Sequence, residues 1–100
     1  KTGGFKVSAL EVESVLLGHP SIIECAVVGI EDEEWGERVC AAVILRTEFS
    51  SDPRALRDWM KTQLATYKAP SRIKFVDQLP RNAMGKVLKA QVVPLFQREE

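Results

Sequence analysis

Apolar side chains recur along this chain with two periods, and the switches between them mark the elements. Val12, Val15 and Leu16 repeat at helical spacing behind Ser8-Ala9-Leu10-Glu11. That is a capping-box pattern, in which Ser8 accepts from the amide three residues on and Glu11 reaches back. Gly18 and Pro20 stop the helix. Ile22 to Ile30 is an apolar, β-branched run with Glu24 near its start, the pattern of a largely buried strand. The acidic turn Glu31-Asp32-Glu33-Glu34 separates it from a second strand, Arg38 to Arg46. Asp52 followed by Pro53 reads as N-cap and first helical residue, and Leu56, Trp59, Met60 and Leu64 then share one helix face. Tyr67-Lys68-Ala69-Pro70 connects to a third strand, about Arg72 to Val76, with Ile73 and Phe75 pointing one way. A last helix carries Leu88 and Val92 on one side, and Pro94 should bend or end it near Val93. Lys1 to Val7 is short and glycine-rich, suited to a tight turn or hairpin. The order predicts an α+β domain: a small three-stranded sheet with flanking helices and an N-terminal glycine-rich turn or hairpin.

One hundred residues, 45 % of them hydrophobic, suffice for one core, and no apolar run approaches the length of a membrane span. Without an internal repeat or interior linker, residues 1–100 read as one domain. The opening Lys-Thr-Gly-Gly, without an initiator Met, is what a segment of a longer protein would show. Zero net charge argues against a general nucleic-acid or membrane binder. The charge is unevenly spread, though. Residues 1–50 hold 4 basic and 9 acidic groups, and residues 51–100 hold 10 basic and 5 acidic. Cys25 and Cys40 lie in apolar runs without metal or redox spacing, so they read as small core residues of a protein in a reducing compartment. A choice between cytoplasm and mitochondrion would be written ahead of Lys1.

Within the chain, catalytic chemistry cannot be assembled. The one histidine, His19, sits beside Pro20 at a helix end and reads as a capping or surface residue. No His/Cys cluster suits a metal, and no carboxylate pair stands out as an acid–base couple. The informative stretch is Leu79-Pro80-Arg81-Asn82-Ala83-Met84-Gly85-Lys86-Val87-Leu88-Lys89. Pro80 fixes φ, Asn82 favours a bend and Gly85 gives backbone freedom. Lys86 falls where the last helix should begin, facing the positive end of its dipole. That placement costs from a few tenths to about 1 kcal/mol unless an anion arrives from elsewhere. The stretch is not a P-loop, because Pro80 and Val87 stand where that motif needs Gly and Ser/Thr. Lys1–Lys6 likewise joins Gly to cations. Two such loops on a domain without its own site fit a lid over another site.

Lys1-Thr2-Gly3-Gly4-Phe5-Lys6-Val7-Ser8-Ala9-Leu10-Glu11-Val12-Glu13 resembles the motif that opens the C-terminal domain of the ANL superfamily of adenylating enzymes. Leu79 to Lys86 is similar to the motif that nearly closes it. The Trp35-Gly36-Glu37 turn and Tyr67-Lys68-x-Pro70 also match, so the resemblance covers the whole chain. It is nearest to the acyl-CoA synthetases, and the first motif resembles their malonyl-CoA synthetase group.

The resemblance implies a two-step ligase: a small carboxylic acid and ATP give an acyl-adenylate, then CoA gives the thioester and AMP. The partner would be the enzyme's own N-terminal adenylation domain, which binds ATP and acid and is expected to hold Mg2+. Lys86 would reach the carboxylate and α-phosphate during adenylation. Gly3 and Gly4, with Phe5 and Lys6, would line the pantetheine tunnel in a second pose. Trp35 and Tyr67 would flank the CoA adenine, or Trp35 would pack on the sheet edge. Lys68, Arg72 or Lys6 would meet CoA phosphate, since Ala69 and Ser71 stand where some members are basic. Two alternatives stay open: an adenylation subdomain serving a carrier-protein thiol, and a small RNA-binding α/β module. Lys-Thr-Gly-Gly-Phe-Lys-Val faintly resembles an aromatic RNA-binding strand, but the second aromatic and the basic balance are missing.

Overall fold

The computed structural model describes residues 7–34, 36–47 and 52–97. Three helices and three strands follow in the expected order: α1 (Ala9–Leu17), β1 (Ile22–Asp32), β2 (Gly36–Leu45), α2 (Pro53–Gln63), β3 (Arg72–Phe75) and α3 (Lys89–Gln97). The sheet runs β1-β2-β3, with β1 antiparallel to β2 and β3 parallel to it.

Both faces of this sheet are covered, which is why its strands read as continuous apolar runs rather than alternating ones. Val27, Val39, Ala41, Val43 and Ile73 pack on one face under Val12 and Leu16 of α1 and Leu56 and Met60 of α2. Ala26, Val28, Cys40 and Ala42 face the other side, under Val92 and Phe96 of α3 together with Leu79. Ile22 joins the first face although its parity assigns it to the second. A register shift between Ile22 and Glu24 accounts for the change.

Local chemistry sets the helix starts. Asp52 accepts from Ala55 N at 2.7 Å with Pro53 in the first turn, and Ser8 accepts from Glu11 N at 3.3 Å. The second half of the expected capping box is not observed. The Glu11 carboxylate turns instead to Lys68 Nζ at 3.2 Å, a cation brought there by the fold. Pro94 does not end α3, which continues to Gln97. Val92 and Phe96 are buried on either side of Pro94, and β3 cations serve the last carbonyls. Arg72 Nη1 donates to Phe96 O at 3.0 Å and Lys74 Nζ to Leu95 O at 3.2 Å.

β1 is an edge strand of the sheet, and an ion pair blocks it at one residue. Glu13 of α1 accepts from Val27 N at 2.8 Å, and Lys89 of α3 donates to Val27 O at 2.9 Å. The two side chains meet at 2.7 Å. Both outward-facing backbone groups of Val27 are thus taken by side chains, as a neighbouring strand would otherwise take them. The same clip ties α1 to α3 around the sheet edge.

Candidate functional site

The loop between β3 and α3 is anchored at both ends. Leu79 is buried against α3, and half-buried Val87 packs against the same cluster. Between these anchors the chain closes on itself as a short hairpin. Arg81 bridges Val87, Asn82 N donates to Lys86 O at 2.9 Å, and Leu88 N donates to Pro80 O at 2.8 Å.

Asn82 shapes the tip. Its Oδ1 accepts from Met84 N at 2.9 Å and from Lys86 N at 3.0 Å, while its carbonyl accepts from Gly85 N at 3.0 Å. Closing so tight a turn sends Gly85 to φ +85°, a conformation that L side chains rarely adopt. The tip is open to solvent, with Met84 90 % exposed.

Lys86 follows Gly85 with its side chain exposed, and its ammonium makes no ion pair among the described residues. The cations around it are engaged. Lys89 is held by Glu13 and Val27 O. Arg81 Nη1 donates to Gly85 O at 2.8 Å, and its Nη2 pairs with the Glu24 carboxylate of β1. The expectation that Lys86 begins the last helix is corrected here. Its carbonyl and the following Val87 are committed to the hairpin, so α3 starts three residues later, at Lys89. A penalty from the helix dipole therefore falls away, because that field is confined to the first turn.

Tyr67 and Lys68 sit in a separate turn. Lys68 N and Ala69 N donate to Ala65 O, and buried Ala69 and Pro70 fix the turn to the body. The Lys68 ammonium stands 5.9 Å from the Tyr67 ring centre and is paired with Glu11, so an incoming phosphate would compete with a carboxylate. Arg72, the other expected phosphate partner, is committed to the α3 end and lies 5.7 Å from the Phe96 ring centre. No hydrogen bond or ion pair among the described residues joins the Lys86 loop to the Tyr67–Lys68 turn. Gly3, Gly4, Phe5, Lys6 and Trp35 lie outside the described residues.

The remaining expected residues are structural. Cys40 is buried and Cys25 half-buried, and both are free thiols. Burial first, and the Glu13 carboxylate next, push the Cys25 thiol up to about 12. Burial also raises Cys40. His19 lies in the turn after α1, where its Nδ1 accepts from Ser21 N at 3.1 Å. Among the described residues no three His, Cys, Asp or Glu side chains are grouped to hold a metal ion. Sequence reasoning gave no role to Arg81, Glu24, Glu13 or Lys89. A lone carboxylate in an apolar strand, at Glu24, was the available signal.

Residues 11–86 match the family model of the AMP-binding enzyme C-terminal domain. The chain is 50 % identical over 96 residues to the mitochondrial malonate–CoA ligase ACSF3 of Homo sapiens, covering 96 % of this chain and 17 % of that protein. It is 46 % identical over 99 residues to 2-succinylbenzoate–CoA ligase of Geobacillus kaustophilus, covering 99 % of the chain and 20 % of the relative. The ATP-bound crystal structure of MatB from Rhodopseudomonas palustris superposes with a TM-score of 0.90 at 36 % identity, covering 97 % of this chain and 19 % of that one. The chain thus spans a sixth to a fifth of the length of these relatives.

Proposed function

The chain belongs to the AMP-binding enzyme C-terminal domain family, and from that premise we propose that it is the mobile C-terminal domain of an ATP-dependent acid–CoA ligase. Lys86 is then the residue that serves adenylation. A substrate carboxylate oxygen attacks the α-phosphorus of ATP, pyrophosphate leaves, and an acyl-adenylate remains. Negative charge builds on the α-phosphate oxygens as the new bond forms. An ammonium that makes no ion pair among the described residues and sits on an exposed, internally hydrogen-bonded loop can be carried to that charge in a closed, poorly hydrated site.

The CoA thiol next attacks the acyl carbon, AMP leaves with the bonding pair, and the thiol proton is lost. Gly3 and Gly4, flanked by Phe5 and Lys6, would border the pantetheine path, where a β-carbon would narrow the passage. Tyr67 and Trp35 would flank the adenine of CoA, with Lys68 beside them. The Mg2+ that travels with ATP, and the acid pocket, are assigned to the preceding adenylation domain. CoA is favoured over a carrier-protein thiol because the relatives are named as CoA ligases, and a malonate-sized acid is the first candidate substrate.

The observation that carries this reading is Lys86, without an ion pair among the described residues, on a preorganised loop within a matched family segment. In the intact enzyme, Lys86→Ala should lower ATP–pyrophosphate exchange by about 10²–10³-fold, the range for removing one preorganised charge-stabilising group. Thioester formation from supplied acyl-adenylate should be largely spared. Equal loss in both half-reactions would show a structural role for Lys86.

A further inference from the structure

The shape of the Lys86 loop and its placement on the domain have different sources. Asn82 and Gly85 determine shape, through bonds that all close within the loop. Those bonds would persist if the whole tip tilted on its stem. Placement needs a link from the tip to the sheet, and Arg81 supplies it. One of its terminal nitrogens holds the carbonyl of Gly85, the residue next to Lys86, while the other pairs with Glu24 of β1, 57 residues away in sequence. A guanidinium suits this because its fork offers two fixed donors at once, which an ammonium on a flexible stem does not.

We infer that Arg81, anchored by Glu24, is a positioning residue that sets where the domain presents the Lys86 ammonium. This rests on Lys86 being the adenylation lysine. Both terminal nitrogens of Arg81 are committed within the domain, so it acts through Lys86 rather than on a reactant. Its side chain is 34 % exposed and that of Glu24 43 %, so the pair lends little to stability. Its influence on a charge that must meet a phosphate is another matter, since a displacement of about 1 Å can cost on the order of 10²-fold in rate. That separation of stability from rate distinguishes positioning from general support.

The test uses the intact enzyme with Arg81→Ala, Arg81→Lys and Glu24→Gln, alone and combined with Lys86→Ala. Arg81→Ala should lower kcat of pyrophosphate exchange about tenfold or more, within the range for misplacement. KM for ATP, thermal midpoint and thioester formation from acyl-adenylate should hardly change. Arg81→Lys, which keeps the charge and one donor, should recover part of the loss, and Glu24→Gln should lose less than Arg81→Ala. In the Lys86→Ala background Arg81→Ala should cost nothing more, because both act through one ammonium. The distance distribution between spin labels at Met84→Cys on the exposed tip and Lys61→Cys on the exposed side of α2 should shift or broaden in Arg81→Ala whatever the chemistry does. Multiplicative losses in the double variant, equal losses in both half-reactions, or an unchanged label distance would each overturn the assignment. If Lys86→Ala left pyrophosphate exchange intact, the catalytic reading of Lys86 would fall and take the rate argument with it. The label distance would still report separately whether Arg81 holds the tip.

Discussion

Gly85 offers the most direct test of the loop geometry, because its substitution isolates one physical term. The residue sits at φ +85°, and a Cβ built there meets nothing within 4 Å. Replacement by L-alanine therefore creates no clash, and the penalty is torsional. A left-handed backbone costs an L-residue about 1–2 kcal/mol. Alanine also lowers the entropy of the unfolded chain, which gives back about 0.4–1 kcal/mol where the conformation is compatible. The expected net effect of Gly85→Ala is a loss of about 1 kcal/mol. For a domain of this size that lowers the thermal midpoint by about 4–8 °C. D-alanine inverts the argument. Its mirror-image preference matches a positive φ, so chemical ligation of a chain carrying Gly85→D-alanine should give a protein at least as stable as the parent. Urea unfolding of the three chains measures both differences. If L- and D-alanine unfold at the same midpoint, the tight turn around Asn82 is not the solution structure, and the placement of Lys86 falls with it.

Two further outcomes follow from the sheet edge. Glu13→Ala removes the partner of Val27 N and leaves Lys89 without its carboxylate, so it should cost about 1–3 kcal/mol in urea unfolding. Glu13→Gln, which keeps an acceptor, should cost less, and a loss no larger than that of an exposed control such as Glu33→Ala would refute the clip. The Cys25 thiol, raised from the ordinary 9.0 to about 12 by burial first and then by Glu13, favours the folded state while neutral. Its contribution is complete below pH 9 and is lost as pH rises toward 12, by up to about 1.4 kcal/mol per pH unit. The stability gap between the parent and Cys25→Ala should shrink over that window, and a gap that stays constant between pH 8 and pH 11 would contradict the burial argument.

The described residues divide between what neighbours along the chain decide and what only folding decides. Ser8 and Asp52 start their helices because each needs nothing beyond an amide three residues ahead. The strands announce themselves because a sheet covered on both faces tolerates no polar alternation. The motif around Lys86 was legible for the same local reason: Asn82 and Gly85 build the turn from within. Sequence could not show that Glu11 would leave its capping role for Lys68, or that Arg81 would find Glu24. Nor could it place both backbone groups of Val27 between Glu13 and Lys89. Each of those contacts joins residues far apart in the chain, and the clip on Val27 depends on β1 lying at an edge, with α1 and α3 on opposite faces. Capping and turn chemistry act over three or four residues and can be read in order. Ion pairs across a sheet exist only once burial has brought the elements together, and they decide where the loop with its lysine is held.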